Sequence, residues 1–117
     1  MGRQKKAASK TFQVVLSSNA LQNIDEITGY IAFIKQQPSN AIKVGDSIFD
    51  MFDRIQLNPY VFRECDELPT ASKMYRRVNC LSWQIIYKVT DVEILILGII
   101  HRSRKPSKIK ALRVIRK

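Results

Sequence analysis

The sequence predicts an α+β fold of two layers, in which a pair of helices packs on a mostly antiparallel sheet in the order β-α-α-β-β-β. Three observations predict it. A short alternating segment comes first, two segments with apolar residues three and four apart follow, and three β-rich segments joined by hairpin-length turns come last. Helices grouped together and packed on one face of an antiparallel sheet are typical of the α+β class.

The first strand and the first helix are adjacent in the sequence. The segment TFQVVLS, residues 11–17, is β-branched and alternating, which predicts a strand. Ser18 or Asn19 is then expected to cap a helix. The predicted core-facing stripe of this helix consists of Leu21, Ile24, Ile27, Ile31 and Ile34.

The second helix begins within the segment KQQPSN. Pro38 cannot continue the first helix, and Ser39 can cap a new one. The second helix is expected to end at Asn58–Pro59. Because the connection is short, the two helices should form an antiparallel hairpin whose apolar faces pack on the later strands. The predicted stripe of the second helix consists of Ala41, Val44, Ile48, Phe52 and Ile55.

Three strands are predicted in the second half, over residues 73–79, 82–90 and 92–102, after an irregular loop with a short extended piece. Their short turns predict an antiparallel meander. The last strand is apolar almost throughout, so we expect it at the centre of the sheet, covered on both faces, with the first strand nearby. Apolar residues three apart from Ile109 onward allow a short helix in the tail.

The 117 residues suffice for one domain, predicted over residues 11–117 with a basic tail at 105–117, preceded by a basic and disordered segment at 1–10. The net charge of +10 is uneven, since the last seventeen residues carry eight bases and no acid. Such a distribution indicates a polyanionic partner, either a nucleic acid or an acidic protein. The alternative is a solvated surface that only maintains solubility.

Several function classes are disfavoured by composition. No apolar run approaches the ~18 residues of a membrane span, and the N-terminus lacks the apolar segment of a secretory signal. Cys65, Cys80 and the single histidine, His101, are poor material for a zinc site. We therefore expect a cytoplasmic protein with reduced thiols and without a metal or another cofactor.

Several segments resemble the RelE/ParE superfamily of toxins from bacterial type II toxin–antitoxin systems. They are LSSNALQNIDEITGYIA, PSNAIKVGDSIFDMFDRIQLNPYVF, YRRV, WQIIYKV and VEILILGIIHRSR, and the likeness covers residues 11–104. The resemblance implies a small growth-inhibiting toxin neutralised by an acidic antitoxin. RelE-like members cleave mRNA in the ribosomal A site, whereas ParE-like members poison DNA gyrase without cleaving RNA. The long helical hairpin resembles the ParE-like members more closely.

A metal-independent endoribonuclease needs a base near the ribose 2′-hydroxyl, positive charge on the phosphate and an acid at the leaving oxygen. His101 can serve as base or acid, because its ordinary pKa is about 6.5. Arginines can hold the phosphate, and a tyrosine can stack on a base. The candidate catalytic residues are His101, Arg77, Arg102 and Arg104. The candidate substrate- and phosphate-binding residues are Lys73, Arg76, Tyr87 and Lys88.

Each assignment has an alternative. Glu64 is a second candidate base if its loop folds over the sheet. Arg76 and Arg77 should point to opposite faces of their strand, so at most one serves a given site, and either could pair with Glu64, Asp66 or Glu67. Tyr87 could belong to the core, and His101 could only cap its strand.

From the sequence we prefer ribosome-dependent mRNA cleavage, because a histidine beside clustered arginines has a chemical use there. The alternatives are a ParE-like gyrase poison and a non-catalytic nucleic-acid-binding module.

Overall fold

The computed structural model describes residues 12–117, and the predicted N-terminal tail at residues 1–10 lies outside that range. The predicted order of strands and helices is confirmed. The elements are β1 (Gln13–Leu16), α1 (Ser18–Gly29), a π-helical turn (Tyr30–Ile34), α2 (Pro38–Leu57), β2 (Tyr75–Cys80), β3 (Trp83–Val89), β4 (Glu93–His101), α3 (Pro106–Lys110) and a 3₁₀ turn (Ala111–Val114).

The strands of the described chain form one sheet in the order β1-β4-β3-β2. β1 runs parallel to β4, while β4 with β3 and β3 with β2 are antiparallel. The central position predicted for the last strand is confirmed, and residues 94–99 of β4 are all buried. The extended piece predicted before β2 is a single bridge between Glu64 and Arg76.

The helical hairpin packs on one face of the sheet, and α2 does so as predicted. All five residues of its apolar stripe are buried, and they join Ile85, Tyr87 and Ile96 in one cluster. Burial of such a face stabilises the fold by about 25 cal/mol for each Å² of apolar surface that is removed from water. This is the main stabilisation available to a fold of this size.

The predicted stripe of α1 is only partly correct, since Leu21 and Ile34 are 50% and 69% exposed. The core-facing line of α1 runs instead through Ala20 and Ile24, and Leu21 lies about 100° further round the helix. The π-helical turn has more residues per turn than an α-helix, so the side chains that follow its start are rotated about the helix axis. Ile34, at the end of a stripe counted at 3.6 residues per turn, therefore no longer faces the core.

Both predicted helix caps are wrong by one or two residues. Ser17, not Ser18 or Asn19, caps α1, because its hydroxyl accepts the Ala20 N–H at 3.0 Å. α2 begins at Pro38 itself, after Gln37, which makes no capping bond with its side chain. Proline fits the first position of a helix because its missing N–H would have no intrahelical partner there, so Ser39 lies inside the helix.

The C-terminal segment covers the other face of the sheet, and the predicted tail helix is confirmed. Ile109 and Leu112 are buried there with Ile86, Leu95 and Leu97. β4 is therefore apolar on both sides because each side has its own cover.

Beyond Ile96, where β1 ends, side chains of α1 replace a neighbouring strand at the edge of β4. The carbonyl of Leu97 accepts the Ser17 hydroxyl at 3.1 Å and the Asn19 amide at 3.0 Å. The Ile99 N–H donates to Asn23 at 2.9 Å. These bonds satisfy edge groups that would otherwise be unpaired, and they fix α1 against the end of β4 that leads to His101.

In the part of the chain that the structure describes, every helix is too short or too polar to cross a lipid bilayer. Cys65 and Cys80 are both free and buried.

Candidate functional site

His101 is the last residue of β4 and is exposed. Its Nδ1 accepts the backbone N–H of Ser103 at 3.2 Å and lies 2.8 Å from the Ser103 hydroxyl. Trp83, its partner on β3, meets the imidazole edge-on with 6.0 Å between ring centroids. Because Nδ1 is an acceptor, the neutral ring carries its proton on Nε2. Nε2 is then the ring atom left for another molecule.

Arg102 and Arg104 follow His101 in a turn. The N–H of Arg102 donates to the carbonyl of Ser82 at 2.9 Å, and its guanidinium donates to Leu81 at 3.3 Å. The Arg104 N–H closes the turn on the carbonyl of His101 at 3.0 Å. The structure thus brings three of the four predicted catalytic residues together at one end of the sheet.

The predicted substrate-binding lysines lie at the opposite end. Lys88 pairs with Leu95, which precedes His101 by six residues on β4. At roughly 3.3 Å per residue, this separation is about 20 Å along the strand. Lys73 lies just before β2 at the same far end, where the Val89 N–H bonds to Met74. The ammonium of Lys88 lies 5.9 Å from the centre of the Tyr75 ring.

Arg76 holds the loop before β2. Its guanidinium donates to the carbonyls of Lys73 at 2.9 Å and Phe62 at 3.0 Å, and it lies 5.0 Å from the centre of the Tyr60 ring. With carbonyl partners in place of a carboxylate, the guanidinium serves the loop as a structural clamp.

Arg77 pairs with Glu67 at 2.9 Å, and both side chains are mostly buried. The ion pair expected as an alternative is therefore present for Arg77. Arg76 lies opposite Tyr87 of the hairpin-side cluster, and Arg77 opposite Ile86 of the C-terminal cluster, so the two arginines do point to opposite faces.

Tyr87 is fully buried, and its hydroxyl donates to the carbonyl of Pro59 at 2.6 Å. Burial raises the pKa of Tyr87 well above its usual range. The Tyr87 ring has no exposed surface on which an RNA nucleobase could stack, so the structure places Tyr87 in the core. Glu64 forms an isolated antiparallel backbone bridge with Arg76 at the edge of β2. Cys65 and Leu68 of the same loop pack with Ile86 on the C-terminal face of the sheet.

A groove of about 1440 Å³ separates α1 from the C-terminal segment. Ile27 and Tyr30 line it on the helical side, and His101 and Trp83 line it at the end of the sheet. Basic side chains line it on the C-terminal side, namely Arg104, Lys105 and Lys108.

Sequence reasoning missed this groove, because its walls are some seventy residues apart in the chain. Trp83 is the first residue of β3, and its place in an alternating strand pattern indicates core packing, not a groove. Tyr30 begins the π-helical turn, and it is 53% exposed. The apolar spacing of Ile27, Ile31 and Ile34 continues through this point, so the groove has no local signal in the sequence.

Comparisons with known proteins identify relatives of the chain. A family profile described as ParE toxin of type II toxin–antitoxin system, parDE, matches residues 14–106. A sequence search of curated proteins gave no match. Among solved structures, a chain of the chromosomal ParDE TA system from P. aeruginosa is similar at 20% identity, with a TM-score of 0.65. The match covers 80% of this chain and 98% of that one, and at this identity it supports the fold.

Proposed function

The chain belongs to the family of ParE toxins of type II toxin–antitoxin systems, and we propose that it inhibits bacterial growth by acting on DNA gyrase without cleaving RNA. Membership of the family makes it a type II toxin. The gyrase target is the activity that the resemblance implies for ParE-like members. The positions of the candidate residues, described next, favour a gyrase poison over the mRNA cleavage that we preferred from the sequence.

The observation that carries this proposal is the division of the candidate nuclease residues between two ends of the sheet. A base, an acid and the phosphate-binding cations must all reach one phosphodiester, each within about 3 Å of its atom. Here Lys73 and Lys88 are about 20 Å from His101 along the strands. Arg76 and Arg77 are already bonded within the protein.

The second face of the sheet supports the same conclusion. RelE-like nucleases carry several lysines and arginines on an exposed sheet face. In this chain the corresponding face presents Ile86, Leu95 and Leu97 and is covered by Ile109 and Leu112. An RNA strand could reach it only after the C-terminal segment had moved away.

We infer that the cytoplasmic partner that neutralises the toxin is an acidic antitoxin segment bound in the groove beside α1. The groove combines apolar side chains such as Ile27 and Tyr30 with the bases Arg104, Lys105 and Lys108. This combination suits an amphipathic segment with one apolar and one acidic face.

The gyrase proposal is tested with purified toxin, bacterial gyrase and relaxed plasmid, measuring supercoiling and the cleaved DNA trapped on the enzyme. Translating ribosomes with a defined mRNA, analysed by primer extension, form the second arm. We expect gyrase inhibition and an intact message, with His101→Ala still inhibiting gyrase. Topoisomerase I on the same plasmid is the control, and it should be unaffected.

A different result would overturn the proposal. Breaks in the A-site codon that disappear with His101→Ala would make the protein a ribosome-dependent nuclease. They would also require His101 and its neighbouring arginines to act without the distant lysines. Equal inhibition of gyrase and topoisomerase I would show that the toxin masks DNA instead of acting on gyrase.

A further inference from the structure

Five basic side chains near the C-terminus have no acidic partner among residues 12–117. The ion pairs in that range are Arg63–Asp66, Arg77–Glu67 and Lys117–Glu93. Residues 1–11 contain four bases and no acid, so they supply no carboxylate either. The five side chains are exposed, and we call them the basic C-terminal surface: Arg104, Lys105, Lys108, Lys110 and Arg116.

These charges are concentrated and held in place. α3 and the 3₁₀ turn extend over residues 106–114, about 15 Å of chain at 1.5 to 2 Å per residue. Ile109 and Leu112, 2% and 6% exposed, anchor this segment to the sheet. After Glu93 the chain contains no acid. The mutual repulsion of the five charges is therefore uncompensated within the described chain, and the surface has a strongly positive potential.

The composition of this surface favours a phosphate backbone over a protein. Protein interfaces depend on buried aromatic and large apolar anchors, and between residues 104 and 117 the one large exposed apolar side chain is Val114. The exposed aromatic residues of the described chain lie mostly on the helical hairpin, as Tyr30, Phe33 and Phe49 do. A protein partner would find its anchors there.

The same composition favours a double strand over a single strand. Proteins that bind single-stranded nucleic acids stack the bases on aromatic side chains, and residues 102–117 contain none. Contacts to duplex phosphates need only positive charge in a fixed arrangement. We propose that the basic C-terminal surface binds the phosphate backbone of double-stranded DNA without sequence preference.

DNA binding by this surface does not depend on the proposed function. Its consequence does rest on the proposed function: a toxin that acts on gyrase would contact the DNA held by the enzyme as well as the enzyme itself. DNA binding itself is measured without gyrase. The full chain is titrated against a short fluorescent duplex, and anisotropy is followed from about 50 to 200 mM salt. Each neutralised phosphate contributes about −0.9 to the slope of log affinity against log salt, so five contacts would give about −4 to −5.

Matched triple variants localise the binding. Replacing Lys105, Lys108 and Lys110 by alanine should reduce the magnitude of the slope by about 3 and weaken binding at low salt. The control replaces Lys35, Lys43 and Arg54 by alanine, which removes the same charge from exposed positions of the helical hairpin. This control should keep the slope, and circular dichroism confirms that both variants are folded.

Several outcomes would overturn the inference. They are no binding at about 50 mM salt, equal weakening by the two triple variants, and displacement of the duplex by a single strand at the same concentration. Gyrase inhibition without DNA binding would remove this inference alone. DNA binding without gyrase inhibition would support this inference and remove the gyrase proposal.

Discussion

The sheet has a cover on each face, and the two covers differ in size and in charge. The helical hairpin buries five residues of α2 alone, from Ala41 to Ile55, against one face. The C-terminal segment buries Ile109 and Leu112 against the other. The hairpin therefore supplies most of the core. The C-terminal segment adds few apolar contacts and shares the second face with Cys65 and Leu68 of the loop before β2.

The outer surfaces of the two covers also differ. α2 exposes Asp46, Asp50 and Asp53 together with Ile42 and Phe49, whereas residues 94–117 contain no acid. One chain thus presents an apolar and acidic surface suited to proteins and a basic surface suited to phosphates. The division suggests that gyrase is recognised by the hairpin cover and DNA by the C-terminal cover. The groove proposed for the antitoxin lies between the two covers and shares Arg104, Lys105 and Lys108 with the basic C-terminal surface.

The largest expected effect is the difference in stability lost when a core residue is truncated in the hairpin cover and in the C-terminal cover. Ile48 is 0% and Ile109 is 2% exposed. Ile48→Ala should lower the free energy of unfolding by about 2–5 kcal/mol, because the cavity lies inside the main core. Ile109→Ala should cost less, since the short segment can detach while the rest stays folded. Urea unfolding measures both losses.

Hydrogen exchange shows where each loss falls. Ile109→Ala should release the amides of residues 106–115 and leave those of α2 protected. The exposed Ile42→Ala, on α2, should change the stability by less than about 0.5 kcal/mol and serves as control. Equal losses and a global loss of protection in both core variants would mean that the covers fold as one unit.

Gly98 lies where the two covers meet, so Gly98→Ala should disturb both. Leu97 is an extra residue in β4, since Ile96 pairs with Tyr87 and Gly98 with Ile86. A Cβ at Gly98 would lie 3.0 Å from the Asn19 amide, 3.1 Å from Asn23 and 3.2 Å from Leu112. We expect a loss of about 1–3 kcal/mol through overpacking.

Gly29→Ala is the matched control for this substitution. A Cβ at Gly29 meets nothing within 4 Å, and the residue is helical. Alanine there should stabilise the protein by up to about 1 kcal/mol. If Gly98→Ala is as harmless as Gly29→Ala in thermal unfolding, the asparagines do not hold the edge of β4 as closely as described.

Alkaline pH should weaken both sides of the sheet. Burial, with the nearby Glu67 carboxylate second, raises the pKa of Cys65 from 9.0 to about 11 on the C-terminal side. Burial also raises the pKa of Tyr87 on the hairpin side. Both groups keep their protons longer in the folded state, so their contribution is complete below pH 9 and falls as the pH rises. We expect a loss of about 1–2 kcal/mol by pH 10.

Variants separate the two contributions. Urea unfolding at pH 8 and pH 10 should show a smaller difference for Cys65→Ala, because its contribution begins about one pH unit lower than that of Tyr87. Tyr87→Phe should change the difference less over this interval. If Cys65→Ala keeps the full difference, the thiol is not shielded from water as its position indicates.

The fold was predictable because its signals are local and repetitive. The stripe of α2 holds through five residues at helical spacing, and the apolar run of β4 indicates a strand covered on both sides. The stripe of α1 failed at Ile34, because a π-helical turn has no clear sign in apolar spacing. Cap positions at Ser17 and Pro38 depend on single bonds, which residue type alone does not decide.

The site was much less predictable, because it depends on register and on which side chains are already engaged. His101, Arg102 and Arg104 are close in sequence, and they are also close in space. Arg77 has the residue type of a phosphate ligand but is paired with Glu67. Tyr87 could be placed in the core only once its hydroxyl was found on Pro59. Charge and strand ends are visible in sequence, whereas partners across the fold are not.

The smallest expected effect concerns the end of the C-terminal cover. Lys117 pairs with Glu93 at 2.7 Å, and the lysine side chain is 64% exposed. A pair this accessible to water should contribute about 0.2–1 kcal/mol, and about 1 M salt should screen most of it. A double-mutant cycle with Lys117→Ala and Glu93→Gln measures it by urea unfolding.

The double-mutant cycle shows which contacts hold the C-terminal segment on the sheet. A coupling in the expected range that salt removes would leave Ile109 and Leu112 as the main anchors of the C-terminal segment. A salt-resistant coupling well above about 1 kcal/mol would mean that the pair is shielded from water and fastens the segment at its end. The basic C-terminal surface would then be fixed at both ends, at the His101 turn and at Lys117, and not by its apolar anchors alone.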